Sequence, residues 1–177
     1  MNKETGFPVP AIGALSHLER RPRILLIGHG RHGKDTAAEM ISAFYALSFA
    51  SSSEFAARKA VFPLVCDLYE DWLAAYEDRA NHRDLWFHAI AAYNERPGST
   101  LAAELLREHD IYVGMRARAE FERSRGLFDL VIWVDRSKVL PPEPASSMEL
   151  TAEDADLVID NNGSLAQLLA QVEALAG

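Results

Sequence analysis

The chain is poor in the features that would tie it to an oxidising compartment or to a membrane. Its 177 residues include one cysteine, Cys66, which excludes an internal disulfide. No apolar run approaches the roughly 20 residues that a membrane span needs, and the N-terminus lacks the apolar stretch of a secretion signal. We therefore expect a cytoplasmic protein without a membrane partner. Cys66 lies in an apolar segment, which predicts a buried, reduced thiol.

Positive charge is missing from the C-terminal part of the chain. No lysine or arginine follows Lys138, and seven of the eight net negative charges lie beyond it. A net charge of −8 argues against strong non-specific binding to nucleic acid, because neutralising phosphates supplies most of that affinity. The near-neutral part before Lys138 can still form a local basic groove. The length and the 49% hydrophobic content predict one globular domain.

The most informative feature is a glycine-rich loop between a strand-like run and a helix-like run. The run Ile24–Ile27 is wholly apolar, as a parallel strand buried on both faces would be. The pattern Gly28-x4-Gly33-Lys34 follows, and a helix is predicted from Thr36 onwards. The glycines allow several N–H groups to converge on one anion, which the helix N-terminus also faces. The context therefore predicts a phosphate-binding P-loop whose lysine reaches the β- and γ-phosphates.

This loop predicts ATP and Mg²⁺ as cofactors. The expected nucleotide-binding residues are Gly28, Gly30, Arg31, His32, Gly33, Lys34, Asp35 and Thr36. The position after the lysine usually holds a serine or threonine that helps to bind Mg²⁺, but here it is Asp35. Asp35 is either a solvated residue favoured by the helix dipole or a contact to the metal or acceptor. Thr36 is the other expected metal ligand, and Asp135 is a possible substitute.

Strand-like and helix-like runs alternate beyond the loop, with the long stretch 54–108 helix-like throughout except at Pro63 and Pro97-Gly98. The further β-rich runs lie at 110–114, 130–135 and 156–160, with helices predicted at 116–125 and 165–175. This order predicts an α/β P-loop NTPase fold, a parallel sheet of about five strands flanked by helices. Ligands of such sheets bind at the carboxyl ends of the strands.

The order of these runs along the chain also predicts the domain organisation. Residues 1–22 carry three prolines and no sustained periodicity, which predicts an extended N-terminal arm. Residues 23–177 are expected to form a single domain, in which the helical segment at about 54–108 is an insertion over the ligand-binding edge.

Phosphoryl transfer depends on positioning and charge neutralisation, so cations beyond the P-loop lysine are expected. Arg116 begins directly beyond the predicted strand at 110–114 and is assigned a catalytic role together with Lys34. A solvated ion pair with Glu120, four residues later, is the competing explanation. Arg136 and Lys138 follow the next strand and could form a mobile lid.

The segment 77–86 of the insertion packs acids, bases and an imidazole into ten residues. One interpretation is a polar junction between two helices, capped by Asn81 or Asp84. The other is an acceptor site in which an aspartate takes a hydroxyl proton and cations hold a phosphate. In that site the expected catalytic residues are Asp78 and Asp84, and the acceptor-binding residues are Arg79, His82, Arg83 and Trp86. Against stacking by Trp86, aromatic residues at helical spacing are more typical of a core.

From residue 24 onwards the sequence resembles the bacteriophage deoxynucleoside monophosphate kinases. The carrying motifs are Gly28-x4-Gly33-Lys34-Asp35-Thr36, Tyr112-Val113-Gly114-Met115-Arg116 with Glu120, and Ala-Asp-Leu-Val-Ile-Asp-Asn-Asn-Gly-Ser-Leu at 155–165. The resemblance implies a P-loop kinase in which Asn162 and Gly163 lie near the adenine. Those enzymes usually have an aspartate two positions before the arginine, where this chain has Gly114, so the usual acceptor or metal contact stays open.

The insertion is more similar to a phage branch that phosphorylates 5-hydroxymethyluracil within DNA, a step in thymidine hypermodification. The motifs are Asp78-Arg79-x-Asn81-His82-Arg83 with Trp86, Tyr93-Asn94, and the run 110–116. The resemblance implies hydroxymethyluracil-containing DNA as the acceptor and the host cytoplasm as the location. A free deoxynucleoside monophosphate is the alternative acceptor. A nucleotide-binding regulator without turnover is the third hypothesis, suggested by Gly114 and Asp35.

Overall fold

The computed structural model describes residue 15 and residues 20–175. The arm predicted at 1–22 therefore lies largely outside the described residues. Within it, the backbone N–H of Leu15 donates to the carbonyl of Leu175 at 2.9 Å, and the Leu15 side chain is buried. This contact joins Leu15 to the segment that follows the helix at Leu165–Glu173.

A five-stranded parallel sheet forms the centre of the molecule and confirms the predicted α/β P-loop fold. The strands are β1 (Ile24–Ile27), β2 (Phe49–Ser51), β3 (Ile111–Val113), β4 (Leu130–Asp135) and β5 (Leu157–Asp160). Their order is β2-β3-β1-β4-β5, and every neighbouring pair is parallel. All five carboxyl ends therefore meet at one edge, with the P-loop after the central strand.

Eight α-helices lie in the described part of the chain. They are α1 (Lys34–Tyr45), α2 (Ser52–Ala56), α3 (Phe62–Val65), α4 (Trp72–Glu77), α5 (Arg83–Glu95), α6 (Leu101–Glu108), α7 (Arg118–Ser124) and α8 (Leu165–Glu173). A π-helical turn, Ala57–Val61, joins α2 to α3. Among the described residues, no helix combines the length and the apolar character needed to cross a bilayer.

Apolar side chains cover both faces of the sheet. Ile24 and Leu26 of β1 belong to a cluster with residues of α1 and α8, whereas Leu25 and Ile27 belong to a second cluster with the insertion helices and α7. All four side chains are fully buried. Each would contribute about 1.5–3 kcal/mol on burial, so β1 holds the start of the P-loop firmly in the core.

The insertion departs from its predicted form at two points. Pro63 does not break the helical path, because it lies in the first turn of α3, where a missing N–H is tolerated. The chain is helical from residue 52 to 65, and the interruption falls at 66–71 instead. Cys66, expected to be buried, follows α3 and is exposed. The predicted break at Pro97-Gly98 is present between α5 and α6.

Candidate phosphate-binding site

The backbone of the P-loop requires glycine at its two ends. Gly28 has φ +143°, and a Cβ there would lie 2.6 Å from the carbonyl oxygen of Val134. Gly33 has φ +90°, and a Cβ there would lie 2.2 Å from Nδ2 of Asn161. Between them the loop passes from the end of β1 to the first residue of α1, Lys34. The sequence therefore forms a narrow turn whose N–H groups and helix N-terminus suit a polyphosphate.

Lys34 folds back over its own loop. Its Nζ donates to the carbonyl oxygens of Gly28 and His29, each at 2.8 Å. Burial, followed by the nearby charge of Arg116, lowers the pKa of Lys34 to about 8. An ammonium ion whose charge is disfavoured in this way would gain from an anion beside it.

Two histidines of the loop are structural acceptors. His32 is fully buried, and its Nδ1 accepts from the backbone N–H of Arg136 at 3.1 Å. The ring of His29 packs edge-on against Trp133, with 5.3 Å between ring centroids, and its Nδ1 accepts from the Glu143 N–H at 3.1 Å. Burial and the neighbouring His32 lower the pKa of His29, which favours the neutral, accepting ring. The buried side chain of His32 thus braces the loop, while Arg31 is exposed.

Arg116 lies at the same edge, three residues beyond β3. Gly114 has φ +93°, a backbone conformation that favours glycine, and a Cβ there would lie 3.3 Å from Ser52 Oγ. The Arg116 guanidinium donates to Glu143 Oε1 at 2.9 Å. Its pair with Glu120, considered from the sequence, does not form in the structure.

Glu120 instead accepts from the hydroxyl of Tyr112 at 3.0 Å on the core side of α7. Burial raises the pKa of Glu120 against the effect of this hydrogen bond. Arg118, the next arginine after Arg116, forms an ion pair with Asp154. Arg116 is therefore the arginine of this segment that points to the P-loop edge.

Glu143 is the functional candidate that sequence reasoning missed. It lies in the loop between β4 and β5, residues 136–156, and the Gly30 N–H donates to its Oε2 at 2.5 Å. The one signal in the sequence was the stiff Pro-Pro-Glu-Pro stretch at 141–144, which follows two cations and places an acid at its centre. The partner of that acid is 113 residues away, so no local pattern could identify it.

The residues of the loop fit a metal that is held through phosphates. Asp35 is exposed and Thr36 is partly buried in the first turn of α1. The described residues contain no group of three or more His, Cys, Asp or Glu that could hold a metal ion. Mg²⁺ commonly takes one or two protein ligands together with substrate phosphates and water. The alternative ligand, Asp135, already accepts from Asn162 Nδ2 at 2.9 Å and from the Ser137 hydroxyl at 3.1 Å.

The two asparagines after β5 have different roles. Asn161, which was not singled out from the sequence, is buried and donates from Nδ2 to the carbonyl of His32 at 2.9 Å. Asn162 joins the ends of β4 and β5, because its Nδ2 also donates to Asp160 at 2.6 Å. Gly163 is exposed before α8. The assignment of Asn162 and Gly163 to the adenine remains a prediction.

The charged groups of Arg136 and Lys138, the proposed lid residues, form no hydrogen bond or ion pair with the P-loop among the described residues. Arg136 contacts His32 through its backbone, and its buried Nε has no hydrogen-bond partner among the described residues. The backbone N–H of Lys138 donates to Asn162 Oδ1 at 2.8 Å, and its Nζ lies 3.9 Å from Asp160. The lid role of these two side chains remains a prediction.

Three of the predicted residues of the insertion, His82, Arg83 and Asp84, line an open depression of about 440 Å³ together with Ala80, Asn81 and Leu85. His82, Arg83 and Asp84 are exposed there. Asp78 accepts from Tyr69 at 2.7 Å and from Asn81 at 2.6 Å, and these donors lower its pKa. A carboxylate stabilised in this way is a weak proton acceptor, which favours Asp84 over Asp78 as a base.

Two acceptor candidates are held by the insertion itself. The guanidinium of Arg79 stacks on the ring of Tyr76, with 3.9 Å to the ring centroid. Trp86 is 8% exposed and packs in the core, with its ring centroid 6.1 Å from that of Tyr76. The burial of Trp86 in the core argues against the prediction that it stacks on an acceptor base.

The fold and the loop define a parallel α/β protein with a P-loop. No family model and no curated protein match this sequence. Similar solved structures include a gluconokinase from Sinorhizobium meliloti 1021, with 14% identity, a TM-score of 0.46 and coverage of 88% of this chain and 94% of that one. A shikimate kinase from Aquifex aeolicus vf5 shares 17% identity with a TM-score of 0.44 over 88% and 99% of the two chains.

A sugar kinase from Janibacter sp. HTCC2649 shares 16% identity with a TM-score of 0.45, over 86% of this chain and 92% of that one. These likenesses are too distant to carry an argument about activity or substrate. The fold assignment rests on the strand order and on the geometry of the loop.

Nucleotide binding is expected to take up a proton at Lys34. A phosphate beside the ammonium should raise the lowered pKa of Lys34 towards its usual value. At pH 8 about half of these side chains are neutral before binding. Calorimetric titration with ADP in buffers of different ionisation enthalpy should therefore show uptake of roughly half a proton at pH 8 and less at pH 7. The Lys34→Arg variant stays protonated, so equal uptake by that variant would assign the proton to another group.

Proposed function

We propose that the protein is an ATP-dependent kinase that phosphorylates the 5-hydroxymethyl group of hydroxymethyluracil in DNA. The observation that carries the kinase part is the convergence of Lys34, Arg116 and the Gly30 N–H at one edge of the sheet, where Gly30 and Arg116 hold the Glu143 carboxylate. A site with these donors suits the γ-phosphate of a nucleotide.

The chain's own residues divide the work of phosphoryl transfer. The loop N–H groups and Lys34 would hold the β- and γ-phosphates, and Thr36 would help to place Mg²⁺. Arg116 would neutralise charge that develops on the transferred group. ATP supplies the phosphoryl group, and Mg²⁺ supplies further charge neutralisation. His32 and Asn161 stabilise the conformation of the loop through their hydrogen bonds.

The acceptor part of the proposal is supported by the insertion. The insertion begins at Ser52, directly after the carboxyl end of β2, and Ser52 Oγ donates to the carbonyl of Gly114 beside the site. It carries exposed Arg83 and Asp84 at an open depression. A hydroxyl acceptor must lose a proton, and a positioned carboxylate commonly accelerates such a step by about 10²–10⁴-fold. We assign that role to Asp84.

A deoxynucleoside monophosphate is the second candidate acceptor. Its phosphate oxygen is already anionic and needs no base, and the net charge of −8 disfavours a DNA-binding surface. Under this alternative, Arg83 and Arg79 would hold the acceptor phosphate.

The deciding experiment is a transfer assay with γ-labelled ATP and Mg²⁺. Hydroxymethyluracil-containing DNA, thymine DNA and each deoxynucleoside monophosphate are offered in parallel, with Lys34→Met protein as the negative control. We expect label on the hydroxymethyluracil DNA alone, with a yield that falls steeply as salt is raised. Label on a monophosphate alone would establish the second candidate. ATP binding without any labelled product would support a regulator.

A further inference from the structure

Glu143 places a negative charge in the anion site of the P-loop. One carboxylate oxygen accepts from the Gly30 N–H at 2.5 Å, and the other accepts from Arg116 at 2.9 Å. Burial opposes ionisation of Glu143, but Arg116, the Gly30 N–H and the charge of Lys34 outweigh it and lower its pKa. The group is therefore a carboxylate at neutral pH, held by donors that would suit a phosphoryl oxygen.

The backbone of the same loop is fastened to the two P-loop histidines. The Glu143 N–H donates to His29 Nδ1, and the Arg136 N–H donates to His32 Nδ1, both at 3.1 Å. The Ser147 carbonyl also accepts from Arg116 at 3.2 Å. Residues 136–147 thus cross the mouth of the site as a strap with contacts at both ends and at its centre.

We propose that Glu143 is an internal anion that closes the P-loop when no nucleotide is bound and that a nucleotide phosphate displaces it. This inference rests on the proposed function only for the nature of the ligand. A carboxylate and a phosphate are both negatively charged and require the same donors, so they cannot share Gly30 and Arg116 without strong repulsion. Nucleotide binding therefore requires the strap to move away.

The local sequence supports a displaceable strap. Gly30 admits the carboxylate, because a Cβ at this position would lie 3.2 Å from Glu143 Oε1. Three prolines, Pro141, Pro142 and Pro144, flank the glutamate and stiffen its segment. A stiff segment moves as a unit, so loss of the carboxylate contacts should also loosen the contacts to the histidines.

The closed strap lowers the apparent affinity for nucleotide. Affinity is reduced in proportion to the fraction of molecules with an open site. Replacing Glu143 by glutamine keeps the shape of the side chain but removes the charge that competes with the phosphate. Hydrogen bonds to charged groups are substantially stronger than neutral ones, so we expect the open fraction to rise about tenfold.

The test compares ATP and ADP binding by calorimetry in the wild-type protein, Glu143→Gln and Glu149→Gln. Glu149 is the matched control: it is an exposed carboxylate of the same loop, but it accepts from the Arg118 backbone N–H rather than from the P-loop. We expect Glu143→Gln to bind ATP about tenfold more tightly, and Glu149→Gln to stay within about twofold of wild type. The backbone amide of residue 143 should exchange its hydrogen faster in Glu143→Gln than in wild type.

Two results would overturn the inference and leave the proposed function in place. Unchanged or weaker ATP binding by Glu143→Gln would show that the carboxylate does not compete with phosphate. A fall of a hundredfold or more in kcat at unchanged ATP affinity would place Glu143 in the chemical step instead. If neither the wild-type protein nor Glu143→Gln binds ATP or ADP, and circular dichroism shows that both are folded, the inference and the proposed function both fail. Equal ATP binding by the wild-type protein and Glu143→Gln rejects the proposal for the strap but not the proposed kinase function.

Discussion

Alanine in place of Arg116 is expected to reduce kcat by about 10³–10⁵-fold, the range for an arginine that acts on a transferring phosphoryl group. Arg116 lies at the carboxyl end of β3, next to the strand that carries the P-loop. Its charge is close enough to lower the pKa of Lys34. The effect should appear in kcat when ATP is saturating, measured in the labelled transfer assay.

The neighbouring arginine provides the control for this prediction. Arg118 has the same chemistry two residues later, but it forms an ion pair with Asp154 away from the loop. Arg118→Ala should therefore change kcat by no more than a few-fold. Arg116→Lys keeps the charge but loses the planar fork, so an intermediate rate is expected. Near-wild-type turnover by Arg116→Ala would remove Arg116 from the catalytic residues.

Methionine in place of Lys34 is expected to reduce transfer by about 10²–10³-fold or more, as removal of one preorganised donor does. The ammonium group bridges the carbonyls of Gly28 and His29 at the point where the β- and γ-phosphates would bind. Without it, the loop N–H groups must hold the phosphates alone. Steady-state rates at several ATP concentrations would measure the loss.

The same substitution should leave the fold intact. Because the pKa of Lys34 is lowered to about 8, folding disfavours its charge at neutral pH. In wild type the free energy of unfolding increases as the pH rises above about 8. Folded Lys34 then loses its proton, whereas Lys34 in the unfolded chain has a higher pKa and keeps it. Lys34→Met removes the cost at every pH and keeps the apolar stem. A free energy of unfolding far below that of wild type would mean that any loss of activity reflects unfolding.

The fold could be predicted because its strongest signals are local. Ile24–Ile27 is a continuous apolar run, and the glycine pattern that follows has a direct backbone cause in the positive φ angles of Gly28 and Gly33. The strand at 130–135 was predicted with its observed bounds because it is buried along nearly its whole length. These signals can be read from adjacent residues, without knowing which distant parts of the chain they contact.

The candidate site was only partly predictable because its contacts join distant residues. Glu143 meets Gly30 across 113 positions, and Asn161 meets His32 across 129. The pattern also could not decide between Asn161 and Asn162, which are adjacent but point to different partners at the end of β5. Sequence spacing assigns residues to a face of an element, but tertiary packing decides which face meets the loop.

The errors at Cys66 and Pro63 have different origins: Pro63 lies in the first turn of α3, where proline is tolerated, and the apolar segment before Cys66 does not decide whether the cysteine itself is buried. The π-helical turn at 57–61 adds a residue to one turn, which rotates the following helix face by about 100° relative to an uninterrupted α-helix. Trp86 lies well beyond the turn, and the core position expected from its spacing is observed.

The strand order has a consequence for how the molecule folds. β1 pairs with β3 and β4, so residue 24 must meet residues 111 and 130 before the centre of the sheet exists. Chains dominated by such long-range pairings fold slowly, in about milliseconds to seconds, because the entropy of loop closure is lost before the contacts form. The P-loop takes its shape from β4 and β5 as well as from β1. Nucleotide binding should therefore report complete folding, and excess ATP should protect newly made chains from unfolding.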